Sequence, residues 1–251
     1  MASGSAPLSY SAAVSGSNAP PRPQPPPQQQ QQPPNHNHQP ASAPSGNRVK
    51  RSPSPSHKPN TGADEEAVYV LTLLTDNPHH DRMTQLRAQY FPKKLNKLEA
   101  HLTLFHALPG SKLESSIIPV IQDVASKTTS FKVLATKPFR LKKGVAISVA
   151  KNQGGVQTQG VHKALQRPWV EEGWLSDQDR GGCHVHYTIM NKVDDEAEVA
   201  KSLEQVQQSF KTDAGVAEGL GLWRYDRGFW RRERRFDFAK SGAGDEVADQ
   251  R

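Results

Sequence analysis

Apolar positions between residues 67 and 238 fall into two kinds of run. "AVYVLTLL" (67–74) is β-branched and nearly continuous, the pattern of one buried strand. "NPHHDRMTQLRAQYFP" (77–92) spaces Met83, Leu86 and Tyr90 along one helical face and stops at Pro92. "EAHLTLFHAL" (99–108) is the next strand. "SKLESSIIPVIQDVASK" (111–127) places Leu113, Ile117, Ile121 and Val124 on one side. It opens with a capping-box pattern, Ser111 to Glu114, and Pro119 predicts a kink or break inside it. "SFKVLATKPFRL" (130–141) and "GVAISVAK" (144–151) read as extended, joined at Lys142-Lys143-Gly144. "VHKALQRPWVEEGWL" (161–175) reads as a helix interrupted near Pro168.

The second half repeats the theme. "HVHYTIMNKV" (184–193) is a strand. "DDEAEVAKSLEQVQQSF" (194–210) is a helix with Val199, Leu203, Val206 and Phe210 on one face and acids in its first turn. Residues 215–238 read as strands turning at Asp226-Arg227-Gly228. Interleaved helices and strand-to-strand turns predict an α+β fold of two similar lobes, each with an antiparallel-rich sheet and flanking helices, around a central groove.

Each half holds one His-x-Thr within a strand: His101-Leu102-Thr103 and His186-Tyr187-Thr188. Residues i and i+2 of a strand share a face, about 7 Å apart. If the lobes face one another, two imidazoles and two hydroxyls converge on the groove. Imidazole exchanges protons near neutral pH, and a hydroxyl donates to a phosphate oxygen. One His to remove a proton, one to supply it, and Thr103 and Thr188 on the non-bridging oxygens suit phosphodiester chemistry without a metal. A lone His-x-Thr means nothing, and a strand histidine is usually a satisfied core residue. Two copies in corresponding places of two similar halves are more specific.

Composition divides the chain. Residues 1–63 hold 14 of the 20 prolines, five consecutive glutamines (Gln28 to Gln32) and one aromatic residue, Tyr10. Such a segment cannot bury enough apolar surface to order itself, so a disordered tail is expected over 1–63, a folded domain over 64–240 and a loose end over 241–251. Of the net charge of +7, the first 63 residues carry +5, leaving only +2 for the rest. The high overall charge is therefore weak evidence that the domain binds nucleic acid. Cys183 is the single cysteine, which excludes an intrachain disulfide and fits a reducing compartment. No run is long and apolar enough for a membrane span. The expectation is a cytoplasmic protein, with a weak nuclear-type signal at "NRVKRSPSPSHK" (47–58), monomeric and away from membranes.

Other clusters give alternatives. Cys183, His184 and His186, with His106, could suggest a zinc site, but no CxxC or HExxH accompanies them and His184 reads as a loop residue at the strand's mouth. No metal and no cofactor is expected. His79-His80, at a helix start, reads as solvated. "WRYDRGFWRRERR" (223–235) interleaves arginines with aromatics, which suits single-stranded RNA; Arg224, Trp230, Arg231 and Arg234 are the candidate RNA contacts. An edge hairpin charged against edge pairing would look the same.

"AHLTLFHALP" and "HYTIMNKV" resemble the paired motifs of the two-histidine phosphoesterase superfamily, near its 2′-5′ RNA ligase-like and cyclic phosphodiesterase branches. The resemblance spans about 66–238 and includes "LSDQDR" (175–180) and "LWRYDRGFW" (222–230). It implies a bilobal α+β fold with pseudo-twofold symmetry and metal-independent action on 2′,3′-cyclic phosphates, 2′-5′ linkages or related diesters. It carries His101 and His186 into the catalytic roles, with Thr103 and Thr188 on the phosphate. Many members have proline just before the second histidine, where this chain has Val185. Implied partners are RNA termini or a small cyclic nucleotide. A second function class is a non-catalytic RNA- or nucleotide-binding module on the same fold; the intact His-Thr pairs favour the enzyme. Which histidine is base and which acid is left open by the sequence.

Overall fold

Every pairing between strands is antiparallel. The computed structural model describes residue 61 and residues 67–240, less the side chains of Arg232 and Glu233. The expected tail, the signal-like segment 47–58 and the C-terminal end lie outside the described residues, residue 61 excepted. The chain runs β1 (Val68–Thr75), α1 (Asn77–Tyr90), β2 (Leu102–Pro109), α2 (Ile118–Lys127), β3 (Phe131–Leu141), β4 (Gly144–Val149), α3 (Val156–Glu171), β5 (His186–Met190), α4 (Glu196–Ser209), β6 (Asp213–Asp226) and β7 (Phe229–Asp237).

The strand order is β2-β1-β6-β3-β4-β5, with β7 added beside β6. Exchange β1 with β4, β2 with β5 and β3 with β6, and the same order is read from the other end. This is the expected pseudo-twofold: each half runs β-α-β-α-β and contributes its last strand to the other half. The two sheets of the sequence reading are joined into one hydrogen-bonded sheet. The reason is the length of β6. One edge pairs with β1; the other pairs first with β3 through Asp213–Ala217 and then with β7 through Gly219–Asp226. The motif strands β2 and β5 stand at opposite ends of this order, yet they touch.

Local chemistry sets the helix ends. The Asp76 carboxylate accepts from the His79 N–H and caps α1, with Pro78 in the first turn. Asp195 accepts from the Ala197 and Glu198 N–H groups and caps α4. The stretch 111–127 is broken as Pro119 requires. A 3₁₀ turn (Gly110–Lys112) and a π turn (Leu113–Ile117) precede α2, which places Pro119 in its first turn, where a missing N–H costs nothing. Pro168 does not interrupt α3, which begins at Val156 and runs on to Glu171. Leu165 and Trp169, both fully buried, hold the helix to the core on either side of that proline. Leu71, Phe105, Leu108, Ile117 and Ile121 complete the centre of the core. No described helix is long and apolar enough to cross a membrane.

Candidate active site

The two motifs meet in one cavity of about 270 Å³, lined by His101, Thr103, His186 and Thr188 among others. They are built alike. The Nδ1 atom of His101 lies 2.7 Å from the Glu99 carbonyl, and that of His186 lies 2.8 Å from the His184 carbonyl. A carbonyl only accepts, so each Nδ1 carries a hydrogen and each Nε2 of a neutral ring holds the lone pair. Directly after each threonine the pairing skips one residue. Thr72 pairs with Thr103 but Leu71 with Phe105; Ala146 pairs with Thr188 but Val145 with Met190. The bulges at Leu104 and Ile189 bend both strands where the motif ends, a device that re-aims side chains beside a site. Each imidazole also has an aromatic neighbour. Trp230 lies 4.4 Å from His101 between ring centroids, and Phe139 lies 5.6 Å from His186, edge-on.

His101 is half-buried, and its burial pushes the imidazole pKa down to about 4, with the Arg87, His106 and His186 charges acting the same way against the Glu99 hydrogen bond. At neutral pH the ring is an uncharged proton acceptor. Among the described residues neither threonine hydroxyl is engaged by another protein group, so both can turn to a ligand.

A family model described as the 2′-5′ RNA ligase superfamily matches residues 75–229. The chain belongs to this superfamily. Among solved structures it is similar to a phosphoesterase (13% identity over 69% of this chain and 99% of that one, TM-score 0.49). It is also similar to LigT of E. coli in apo form (12%, 69% and 99%, TM-score 0.48) and to TT0787 of Thermus thermophilus (11%, 68% and 97%, TM-score 0.49). No curated protein matches the sequence.

The four candidate RNA contacts of the β6–β7 hairpin do not stay together. Opposed residues of an antiparallel pair share a face. Arg224 opposes Arg231, and Arg234 opposes Leu222, two residues before Arg224. These three arginines therefore lie on one face, and Trp230, opposite Tyr225, lies on the other. Only Trp230 lines the cavity. Arg231 is paired with Asp226 at 3.1 Å and Arg234 with Glu114 at 3.3 Å.

Several residues that shape the site were not singled out by pattern. His79, expected to be solvated, is fully buried: its Nδ1 meets Asp213 and its Nε2 meets the Tyr187 hydroxyl at 2.9 Å. Tyr187 is the middle residue of the second motif, so α1 holds β5 from behind. Arg87, also on α1 and buried, donates to the Thr188 carbonyl at 2.6 Å and to Asn96 and Leu98. Burial lowers its pKa to about 10, and the guanidinium still stays charged near neutral pH behind the groove. Asp179, from "LSDQDR", is buried and accepts from the His106 and Ala107 N–H groups at 2.8 Å each, fastening the 172–185 segment to the free edge of β2. His184 is exposed and outside the strand, as expected. The Cys183 thiol, pushed up to about 12 by burial, stays protonated and points at the Thr103 carbonyl. Among the described residues no three His, Cys, Asp or Glu side chains are grouped to hold a metal ion.

Proposed function

We propose that the protein is a phosphodiesterase of the 2′-5′ RNA ligase type, acting on 2′,3′-cyclic phosphate or 2′-5′ linked RNA ends without a metal. The observation that carries this reading is the pair of imidazoles in one cavity, each with Nδ1 fixed by a carbonyl and Nε2 free for proton transfer. His101, neutral at working pH, takes a proton from water as it attacks phosphorus. His186 gives a proton to the ribose oxygen as its bond to phosphorus breaks, leaving a phosphomonoester and a free hydroxyl. Thr103 and Thr188 donate to the non-bridging oxygens, where negative charge builds. With a ribose hydroxyl in place of water as the nucleophile, the same pair would take its proton, open the cyclic phosphate and leave a phosphodiester and a free hydroxyl. The experiment is turnover of a 2′,3′-cyclic nucleotide and a 2′-5′ linked dinucleotide by the full chain in chelator. Hydrolysis abolished by His101→Gln in a folded protein supports the reading. A folded, fully active His101→Gln protein overturns it.

A further inference from the structure

A second cavity, about 250 Å³, adjoins the catalytic one over Gln159, Lys163, Gln166 and Arg180. His162, Gly181, Gly182, Cys183 and His184 line both. The side chain of His162 is at the junction. It is 3% exposed and stacked on Phe105, centroids 4.5 Å apart and planes 11° from parallel. Among the described residues no group hydrogen-bonds its ring. Among the described residues the one fully enclosed side-chain nitrogen or oxygen without a partner is Trp169 Nε1, so the His162 ring nitrogens open onto the cavities, where a ligand can bond them. Burial lowers its pKa to about 4, so the ring is neutral and offers one donor and one acceptor. Gly181 and Gly182 put no side chain between the cavities; a Cβ at 182 would meet nothing within 4 Å. Lys163 and Arg180 are exposed on the far side, and among the described residues neither has a carboxylate partner. The hairpin arginines Arg231 and Arg234 are already held by acids.

We propose that this second cavity binds the penultimate nucleotide of an RNA chain whose terminal phosphate lies at His101 and His186. Its backbone phosphate meets Lys163 and Arg180, and a ribose hydroxyl or base edge meets His162. The substrate is thus an oligoribonucleotide end, and its chain leaves the groove over the 180–184 loop. This deepens the phosphodiesterase reading and rests on it.

The test compares KM for a ribonucleotide trimer ending in a 2′,3′-cyclic phosphate with KM for the cyclic mononucleotide, using the full chain. Wild type is expected to favour the trimer. Lys163→Gln with Arg180→Gln raises the trimer KM about tenfold more than the mononucleotide KM at low salt, the size of two exposed ion pairs. The salt dependence of log KM for the trimer flattens by about 0.7, the single-strand value for one phosphate that is no longer neutralised. His162→Phe, which keeps the stack on Phe105, reduces the trimer preference. Equal effects on both substrates, or a larger effect from Arg231→Gln with Arg234→Gln, overturns the proposal. Anisotropy binding of a trimer ending in a 3′-phosphate repeats the comparison without turnover. If the protein proves inactive on both substrates, a trimer affinity that depends on Lys163 and Arg180 upholds the subsite while the catalytic reading fails; one that does not depend on them overturns the subsite as well.

Discussion

His101 and His186 each commit one ring nitrogen to a backbone carbonyl two residues earlier, and this fixes what substitution should do. Glutamine fills the space without exchanging protons. His101→Gln or His186→Gln should lower turnover by about 10²–10⁴-fold with little change in the unfolding midpoint. The double variant should be little worse than the worse single one, because the pair acts as a unit. Thr103→Ala and Thr188→Ala should cost less, each removing one hydrogen bond. Turnover per folded molecule, with midpoints measured alongside, checks all four. A base must be unprotonated to act. With the pKa of His101 lowered to about 4, activity should rise along the acid limb near pH 4, well below the ordinary histidine range. A limb at about 6.5 would assign the base role elsewhere.

At the scale of elements, the helices decide how the motif strands are held. α1 connects β1 to β2 but grips β5, through His79 on Tyr187 and Arg87 on the Thr188 carbonyl. α3 connects β4 to β5 but stacks His162 on Phe105 of β2 and sets Trp169 edge-on against the same ring. Each half thus braces the other half's motif. The α1 contact leaves no room opposite His79: a Cβ on Gly215 would come within 2.4 Å of the His79 ring. Gly215→Ala should therefore destabilise the fold by about 1–3 kcal/mol, the cost of overpacking, and lower the denaturant midpoint. An unchanged midpoint would show that α1 shifts freely. The same logic applies at the edge of β2. Asp179→Ala strands two backbone N–H groups, and should cost about 1–3 kcal/mol by urea unfolding.

For the whole molecule, two imidazoles whose pKa burial lowers, the half-buried His101 and the buried His162, set the acid response. His101 and His162 take a proton only near pH 4 when folded, but near 6.5 when unfolded. Between those values the unfolded chain holds more protons, so stability is complete above about pH 6.5 and falls as pH drops toward 4. The slope is at most ~1.4 kcal/mol per pH unit for each imidazole. Unfolding midpoints from pH 7 to pH 4.5 should show the fall, and His162→Phe should reduce it. The N-terminal segment belongs to this scale too. Among the described residues the core is assembled between Tyr69 and Phe238, and the composition of 1–63 offers it little apolar surface, so deleting 1–63 should leave both midpoint and turnover in place. Loss of cooperative unfolding in the shortened chain would contradict this.

The periodicity of the chain by itself determined the α+β class, the twofold repeat and the pairing of His101-Thr103 with His186-Thr188. Those features are local: strand alternation puts i and i+2 on one face, and turn residues punctuate each run. It also located the break at Pro119, because a missing N–H acts within one turn. Three things were decided only by tertiary structure. β6 joins two sheets into one because each of its edges finds partners from distant parts of the chain. The hairpin separates Trp230 from Arg224, Arg231 and Arg234 because strand register, bulge included, sets the face, and register is invisible in composition. His79 is buried, though its neighbours in sequence are polar, because Asp213 and Tyr187 come to it from 134 and 108 residues away. A polar side chain's burial depends on partners that only folding supplies.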